Sequence, residues 1–137
     1  MAESEVVSRR LTRLEEYLAV LETLRKCSLE EFLGDPLRYG SGERFLQLAI
    51  EAVNDVAAHI VVRERLGVVE EGRDLPRLFL ENDHIGPDLA ERWAKMIGFR
   101  NVLVHEYLEI DRSIVYSVLQ GDLGDLKLLA AVLARFL

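Results

Sequence analysis

The sequence predicts an all-α protein, an antiparallel up-and-down helical bundle of four main helices with short extra helices. Apolar residues recur at intervals of three and four along several long segments, and no segment alternates with the period of two that strands require. The predicted loops are mostly short, which favours antiparallel neighbours. The chain contains only three prolines and no linker or repeat, so we expect a single domain over residues 1–137.

The N-terminal part predicts one long helix followed by one short helix. The first covers about residues 3–26, where leucines and valines follow each other at helical spacing. Ser28 and Glu31 have the spacing of a capping box, in which each side chain accepts a hydrogen bond from the other residue's backbone. The short helix that this box opens is expected to end near Gly34.

A second long helix is predicted after the Asp35-Pro36 dipeptide, because Asp is a good N-cap and Pro fits the first helical turn. Its start is uncertain, since Gly40 and Gly42 disfavour a helix interior. The pattern is clear over residues 43–66, and Gly67 is expected to end it.

The C-terminal half predicts three further helical segments. Residues 67–86 are expected to be irregular, with one short helix near Asp74-Leu-Pro76. The other segments are a helix over residues 88–107, a short segment capped by Asp111 that ends at Gly121, and a last helix over residues 122–136.

The formal net charge of −7 limits the possible partners. Proteins that bind nucleic acid through non-specific phosphate contacts are usually basic. If this protein acts on RNA, its positive charge must therefore be concentrated in a cleft, and contact with the substrate is expected to be brief.

Compartment and membrane association follow from simple features of the composition. The single Cys27 cannot form an intrachain disulfide, so a reducing, cytoplasmic environment is expected. The first ten residues are polar and charged, unlike a signal peptide, and the apolar run near the C-terminus is shorter than the roughly 20 residues of a membrane span. We therefore expect no membrane association.

The most informative segment is RNVLVHEY, residues 100–107. Arg100 follows Trp93, Met96 and Ile97 at helical spacing, so it projects from the stripe that should face the core. A buried guanidinium without a partner is costly, and Arg100 must therefore meet a carboxylate, a cavity or a second chain. A surface ion pair or a side chain that extends to solvent is the ordinary alternative.

The spacing within this segment separates its two ionisable groups. Asn101 and His105 lie four residues apart and share one helix face. Arg100 and His105 would lie about 140° apart around an ideal helix. To act on one small group, the helix must end between them, the arginine must reach around it, or a second copy of the chain must supply one of them.

The pattern Arg-x4-His-x-Tyr resembles the signature of the HEPN superfamily, in particular the HepT-like toxins. The similarity extends from about residue 8 to the end and includes QLAIEAVNDVAAHIVVRE, WAKMIGFRNVLVHEYLEID and VYSVLQGDLGDLKLL. The resemblance implies a metal-independent endoribonuclease with a composite site at a homodimer interface. It also implies that a minimal nucleotidyltransferase antitoxin attaches AMP to Tyr107, which would add bulk and negative charge beside Arg100 and His105.

The residue types fit RNA cleavage. RNA carries its own nucleophile, the 2′-hydroxyl, and an imidazole can remove or donate a proton near neutral pH. A guanidinium can hold two phosphate oxygens, and Asn101 can contact the phosphate or fix the imidazole. Because one histidine is few for both acid and base work, a two-fold dimer that supplies two copies of His105 and Arg100 is expected.

Other polar residues have weaker claims. Gln47, Glu51, Asn54 and Asp55 form a polar stripe on the second long helix. This stripe is interpreted as a solvated face or dimer contact, with the further hypothesis that Asn54 or Asp55 orients Arg100. The basic cluster Arg9, Arg10 and Arg13 is expected to pair with Glu5, Glu15 and Glu16, and the alternative is an RNA path.

The remaining residues show no pattern of a cofactor site or a metal site, so neither is predicted. Trp93 is expected to be a core or interface anchor. His59 and His84 are expected to have no catalytic role, and the three histidines are too scattered for a zinc motif.

Two alternatives to the toxin-like ribonuclease stay open on the sequence. One is a non-catalytic helical module that docks onto a nucleotidyltransferase and helps to bind nucleotide. The other is a structural dimerising bundle in which Arg100 forms an interface ion pair.

Overall fold

Six α-helices make up the part of the chain that the structure describes. The computed structural model describes residues 2–105 and 110–137, and those residues contain no strand. The helices are α1 (Ala2–Leu24), α2 (Leu29–Gly34), α3 (Pro36–Arg63), α4 (Asp74–Glu81), α5 (Pro87–His105) and α6 (Arg112–Ala134). Four are long and two are short, which confirms the predicted helical bundle.

Helix α3 lies at the centre of the bundle and packs against each of the other five helices. Ala49, Val53, Val56 and Ile60 on its apolar side are fully buried, as their spacing predicts. By length and composition alone α3 would pass as a membrane span. Its buried side in this fold is the bundle core, however, and its other side carries the polar stripe.

The predicted helix starts are confirmed where a side chain caps the helix. Ser28 Oγ accepts a hydrogen bond from the Glu31 amide (3.1 Å), and Glu31 Oε1 accepts one from the Ser28 amide (2.9 Å). Asp35 Oδ1 accepts from the Leu37 amide at 2.9 Å, with Pro36 in the first turn of α3. These contacts satisfy backbone donors that have no partner within the helix.

The two glycines that made the start of α3 uncertain lie inside the helix. A Cβ atom at Gly42 would come within 2.8 Å of the buried Phe32 ring, whereas a Cβ atom at Gly40 would meet nothing within 4 Å. Gly42 therefore lets α2 pack closely against α3, and this packing offsets the low helix propensity of glycine.

Helix α3 ends at Arg63, three residues earlier than predicted. Arg65 adopts a positive φ of 54°, and the Leu66 amide donates to the Val61 carbonyl at 3.0 Å. This is the Schellman arrangement, in which glycine usually takes the left-handed position. Arg65 occupies that position here. The prediction that Gly67 ends the helix is therefore wrong.

The prediction that Gly121 breaks the last helical region is wrong, since α6 runs through it without interruption. Val115, Leu119, Leu123 and Leu126 are all buried at helical spacing on both sides of the glycine. Burial of these side chains outweighs the cost of about 1 kcal/mol that a glycine imposes within a helix.

Helix α4 begins at Asp74, whereas the sequence predicts a short helix that starts after Pro76. The Asp74 carboxylate accepts hydrogen bonds from the amides of Glu70 and Glu71, at 2.8 and 3.0 Å. These bonds hold the pKa of Asp74 below its usual value. They also fix the turn before α4, which borders the site described below.

Candidate active site

Arg100 is held on the inner side of α5 by a carboxylate of α3. Its Nε and Nη2 atoms donate to Glu51 Oε1 at 3.1 and 2.9 Å, and its Nη1 donates to Asn101 Oδ1 at 3.2 Å. The side chains of Arg100 and Glu51 are 30% and 29% exposed. Arg100 thus projects from the core-facing stripe, as predicted, and meets both a carboxylate partner and solvent.

A cavity of about 260 Å³ opens beside this guanidinium. Its wall is formed by α3, by α5 and by the turn before α4, and the lining residues are Glu51, Asn54, Asp55, Glu71, Gly72, Arg73, Ile97, Arg100 and Asn101. We call it the Arg100 cavity. Two guanidinium groups face three carboxylates across it, so the cavity is polar without being uniformly basic.

Asn54 and Asp55 line the Arg100 cavity, but they do not make the contacts that orient Arg100. Asn54 Oδ1 accepts a hydrogen bond from Trp93 Nε1 at 2.9 Å, and Asp55 pairs with Arg10 of α1 at 3.0 Å. Glu51, one helical turn earlier on α3, makes those contacts instead. The only sequence signal for Glu51 was its membership of the polar stripe.

Trp93 anchors the same region from the core side, as predicted. Its side chain is 1% exposed and packs edge-to-face against Phe79, with 5.3 Å between ring centroids. Its hydrogen bond to Asn54 fixes one wall of the Arg100 cavity.

The basic cluster of α1 reaches the edge of the Arg100 cavity through the Arg10–Asp55 pair. Arg13 pairs with Glu16 at 3.8 Å, as predicted. The partner of Arg10, however, lies on α3 and not on α1. The cluster is therefore adjacent to the cavity, although it remains an exposed helix face.

His105 is exposed in the last turn of α5 and is not among the residues that line the Arg100 cavity. The helix does not end between Arg100 and His105, and the arginine side chain turns towards α3. Within one chain, five residues of helix separate the two groups by about 7.5 Å along the axis and by about 140° around it. The helix therefore does not end between the two residues, and Arg100 does not turn towards His105.

Tyr107 lies outside the described residues, and its proposed role therefore stays a prediction.

Val102, between Asn101 and His105, is 38% exposed, so the outer face of α5 presents an apolar side chain beside the two polar ones. This face of α5 is therefore open to contact with another chain.

Another cavity, of about 300 Å³, lies between α3 and the end of α5. Glu43, Arg44 and Leu103 line it, and Oε1 of Glu43 is buried without a hydrogen-bond partner. Burial raises the pKa of the Glu43 carboxyl above its usual value, and Arg112, with its Nε 3.6 Å from Oε1, partly opposes the effect. This carboxylate therefore costs stability when it is ionised.

No group of three or more His, Cys, Asp or Glu side chains with the arrangement of metal ligands occurs in residues 2–105 and 110–137. His84 packs edge-to-face against Phe79 and Phe136. Cys27 donates through Sγ to the Leu24 carbonyl. Both contacts are structural.

Comparison with known proteins identifies the family. The family model described as "Ribonuclease HepT-like" matches residues 10–133. An mRNA nuclease HepT of Shewanella oneidensis is 35% identical over 100 residues, which cover 64% of this chain and 75% of that protein. A tRNA nuclease HepT of Aphanizomenon flos-aquae is 29% identical over 117 residues, 85% of this chain and 80% of that protein.

A solved structure supports the same assignment. The tri-AMPylated Shewanella oneidensis HEPN toxin, in complex with its MNT antitoxin, superimposes with a TM-score of 0.85 at 27% sequence identity. The match covers 95% of this chain and 97% of the toxin chain. On the family match, the helical bundle and the Arg-x4-His-x-Tyr pattern together, this chain belongs to the HepT-like ribonuclease family.

Proposed function

We propose that this protein is a toxin-like endoribonuclease that cleaves RNA without a metal ion. Its site would combine Arg100, Asn101 and His105 of two chains at a homodimer interface, and a minimal nucleotidyltransferase antitoxin would neutralise it by attaching AMP to Tyr107. Family membership and the nuclease names of its relatives support the class of activity. The geometry of Arg100 supports the site.

The observation on which the proposal depends is that Arg100 keeps two N–H groups available for a ligand. A guanidinium has five N–H groups, and the contacts to Glu51 and Asn101 use three of them. Nη1 and Nη2, the two outer nitrogens of the fork, each keep one N–H. Two parallel donors of this kind match two oxygens of a phosphate, which is the group that must be held during RNA cleavage.

A homodimer resolves the separation of Arg100 and His105. Helix α5 continues through His105, and Arg100 turns towards α3, so the proposal unites the two groups through a second chain. A two-fold axis near Asn101, which lines the Arg100 cavity and is exposed, would place two copies of each around one site. The exposed Val102 would then be covered, and Asn101 would lie close to the junction of the chains.

The proposed reaction uses the RNA 2′-hydroxyl as the nucleophile. One neutral His105 removes the 2′-hydroxyl proton while the oxygen attacks the adjacent phosphorus. The bond from phosphorus to the 5′-oxygen breaks, and the protonated His105 of the other chain donates a proton to that leaving oxygen. Arg100 stabilises the negative charge that develops on the phosphate oxygens, and the products are a 2′,3′-cyclic phosphate and a 5′-hydroxyl.

Modification of Tyr107 would control this activity. The tyrosine oxygen would attack the α-phosphorus of ATP and lose its proton, with pyrophosphate as the leaving group. The AMP that remains attached carries a negative charge only two residues from His105, where it would exclude RNA and attract Arg100. The AMPylated state of the Shewanella oneidensis toxin supports this proposal.

RNA cleavage in EDTA tests the activity. The purified protein should cut RNA with EDTA present and leave 2′,3′-cyclic phosphate ends, whereas Arg100→Ala and His105→Ala should lose cleavage by about 100-fold or more. Cutting that neither substitution changes would discard the proposed site. Binding of nucleotide without cutting, tighter with a nucleotidyltransferase present, would favour the docking module instead.

Intact mass after co-expression with a nucleotidyltransferase from a neighbouring reading frame tests the regulation. The mass should increase by one or more AMP groups, and Tyr107→Phe should abolish the increase. Tyr116 of α6 provides the control. Its hydroxyl donates to the Cys27 carbonyl at 2.7 Å, and Tyr116→Phe should leave the increase in mass intact. An unchanged mass in the wild-type protein would contradict this regulation.

A further inference from the structure

One oxygen atom of Glu51 connects Arg100 of α5 to Gln47 of α3. Glu51 Oε1 accepts hydrogen bonds from Arg100 Nε at 3.1 Å, from Arg100 Nη2 at 2.9 Å and from Gln47 Nε2 at 3.0 Å. Gln47 lies one turn before Glu51 on α3, so the carboxylate is fixed from within its own helix. The guanidinium is then oriented by a group that is itself held in place.

The contact occupies the inner edge of the guanidinium only. The Nε–Nη2 edge faces Glu51, and the outer Nη1–Nη2 edge keeps one free N–H on each nitrogen. Asn101 restrains Nη1 from the side. A rotation of the side chain that turned the outer edge away from the Arg100 cavity would break two hydrogen bonds to Glu51.

We propose that Glu51, fixed by Gln47, is a positioning residue that aims the outer edge of Arg100 at the RNA phosphate. This inference rests on the proposed function, and it assigns a role to residues that the sequence pattern did not single out. Glu51 acts through Arg100 and makes no contact with the substrate.

The charge of Glu51 makes the proposal distinguishable from a simple binding role. Glu51, Asp55 and Glu71 all line the Arg100 cavity, and each carboxylate there repels a phosphate. Glu51 therefore weakens binding of RNA in the ground state while it improves the geometry that the transition state requires. Its removal should therefore lower kcat without raising KM, whereas loss of a simple binding contact would raise KM.

The experiment measures kcat and KM for a short RNA with Glu51→Ala, Glu51→Gln and Gln47→Ala. Glu51→Ala should lower kcat by about 10- to 100-fold without raising KM, because the fork is no longer aimed. Glu51→Gln keeps an oxygen that accepts from Arg100 and should restore kcat to within about threefold, with a lower KM. Gln47→Ala should lower kcat by a smaller factor, about 3- to 10-fold.

Asp125→Ala is the matched control for loss of an ion pair on α5. Asp125 pairs with Arg92 at 3.0 Å on the side of α5 that faces α6, away from the Arg100 cavity. This substitution should lower the Tm but leave kcat unchanged. A thermal unfolding curve for each variant confirms that the protein assayed is folded.

Three outcomes would overturn the positioning role. Glu51→Ala with the kcat of the wild type would show that Arg100 needs no such support, and Glu51→Gln as defective as Glu51→Ala would show that charge matters and geometry does not. If Glu51→Ala does not fold, wild-type kcat in Gln47→Ala decides against the role. Arg100→Ala with full activity would instead refute the proposed function.

Discussion

At the scale of single residues, Arg100 combines two properties that usually exclude each other. It lies on the apolar stripe of α5 beside Ile97, yet its side chain remains 30% exposed in a polar cavity. Glu51 makes this position possible because an ion pair at the edge of the core satisfies the inner donors. The outer donors stay available for an anionic ligand.

Replacement of Arg100 by lysine separates the effect of charge from the effect of shape. Arg100→Lys keeps the positive charge but cannot bind Glu51 and a phosphate through two separate edges. We expect kcat to fall by about 100-fold, while the protein remains folded. Steady-state cleavage of a short RNA measures the loss, and a variant with wild-type kcat would show that a point charge is sufficient.

The pKa of Glu43 gives a prediction for stability. Because burial raises it above the ordinary 4.5, this carboxyl favours the folded state below pH 4.5, and that contribution is lost as the pH rises through the folded-state pKa. Glu43→Gln should therefore have a higher Tm than the wild type at pH 7, with a smaller difference at pH 4. Thermal unfolding at both pH values is the measurement, and a difference that grows towards pH 4 would contradict the account.

The sequence predicted the key cation but not its partner. Arg100 could be recognised because a charge on an apolar stripe conflicts with helical periodicity. Glu51, Asn54 and Asp55 share one polar stripe, however, and their partners depend on how α3 and α5 cross. Spacing within a single helix carries no information about that crossing, so the sequence does not show which member of the stripe contacts Arg100.

At the scale of the elements, the two glycines of α3 have different environments. Gly40→Ala should raise the free energy of unfolding by about 0.5–1 kcal/mol, because alanine favours a helix and its Cβ meets nothing within 4 Å. Gly42→Ala should lower it by about 1–3 kcal/mol, because its Cβ would press on the buried Phe32 ring.

Urea unfolding of the two alanine variants measures this difference directly. Each variant serves as the control for the other, since both add one methyl group to the same helix. If both substitutions stabilise the protein equally, α2 does not pack on Gly42 as closely as the structure shows.

The helix boundaries show which sequence signals are reliable. The starts of α2 and α3 were predicted because Ser28 and Asp35 cap them with their own side chains. The end of α3 was misplaced because Arg65 takes a left-handed conformation for which the sequence gives no warning. Gly121 was misread as a break because burial along α6 outweighs local helix propensity.

At the scale of the whole molecule, the acidic composition extends to the proposed site. The net charge of −7 disfavours tight binding to bulk RNA. Arg100 and Arg73 share the Arg100 cavity with three carboxylates, and Arg10 of α1 is paired with Asp55, so these cations offset the repulsion only in part. Brief contact at one position is therefore more consistent with the charge distribution than extensive coating of RNA.

The fold could be predicted from periodicity, since four long amphipathic helices have few ways to bury their apolar sides. The sequence indicates a composite site only through the angle of about 140° that separates Arg100 and His105 around one helix. The structure keeps that helix intact through His105 and gives Arg100 a partner on α3. A second chain is therefore central to the proposed mechanism.

Mixed dimers test that claim most directly. A wild-type chain and a His105→Ala chain carrying different affinity tags can be co-expressed, and the mixed dimer can be isolated through both tags. A wild-type dimer with the same two tags is the reference for RNA cleavage, and a mixed dimer with Asp125→Ala is the control. If two chains build one site, the His105→Ala mixed dimer should keep less than about a tenth of the reference activity, because acid or base is missing. Half of the reference activity would mean that each chain cleaves RNA on its own, and would contradict the composite site.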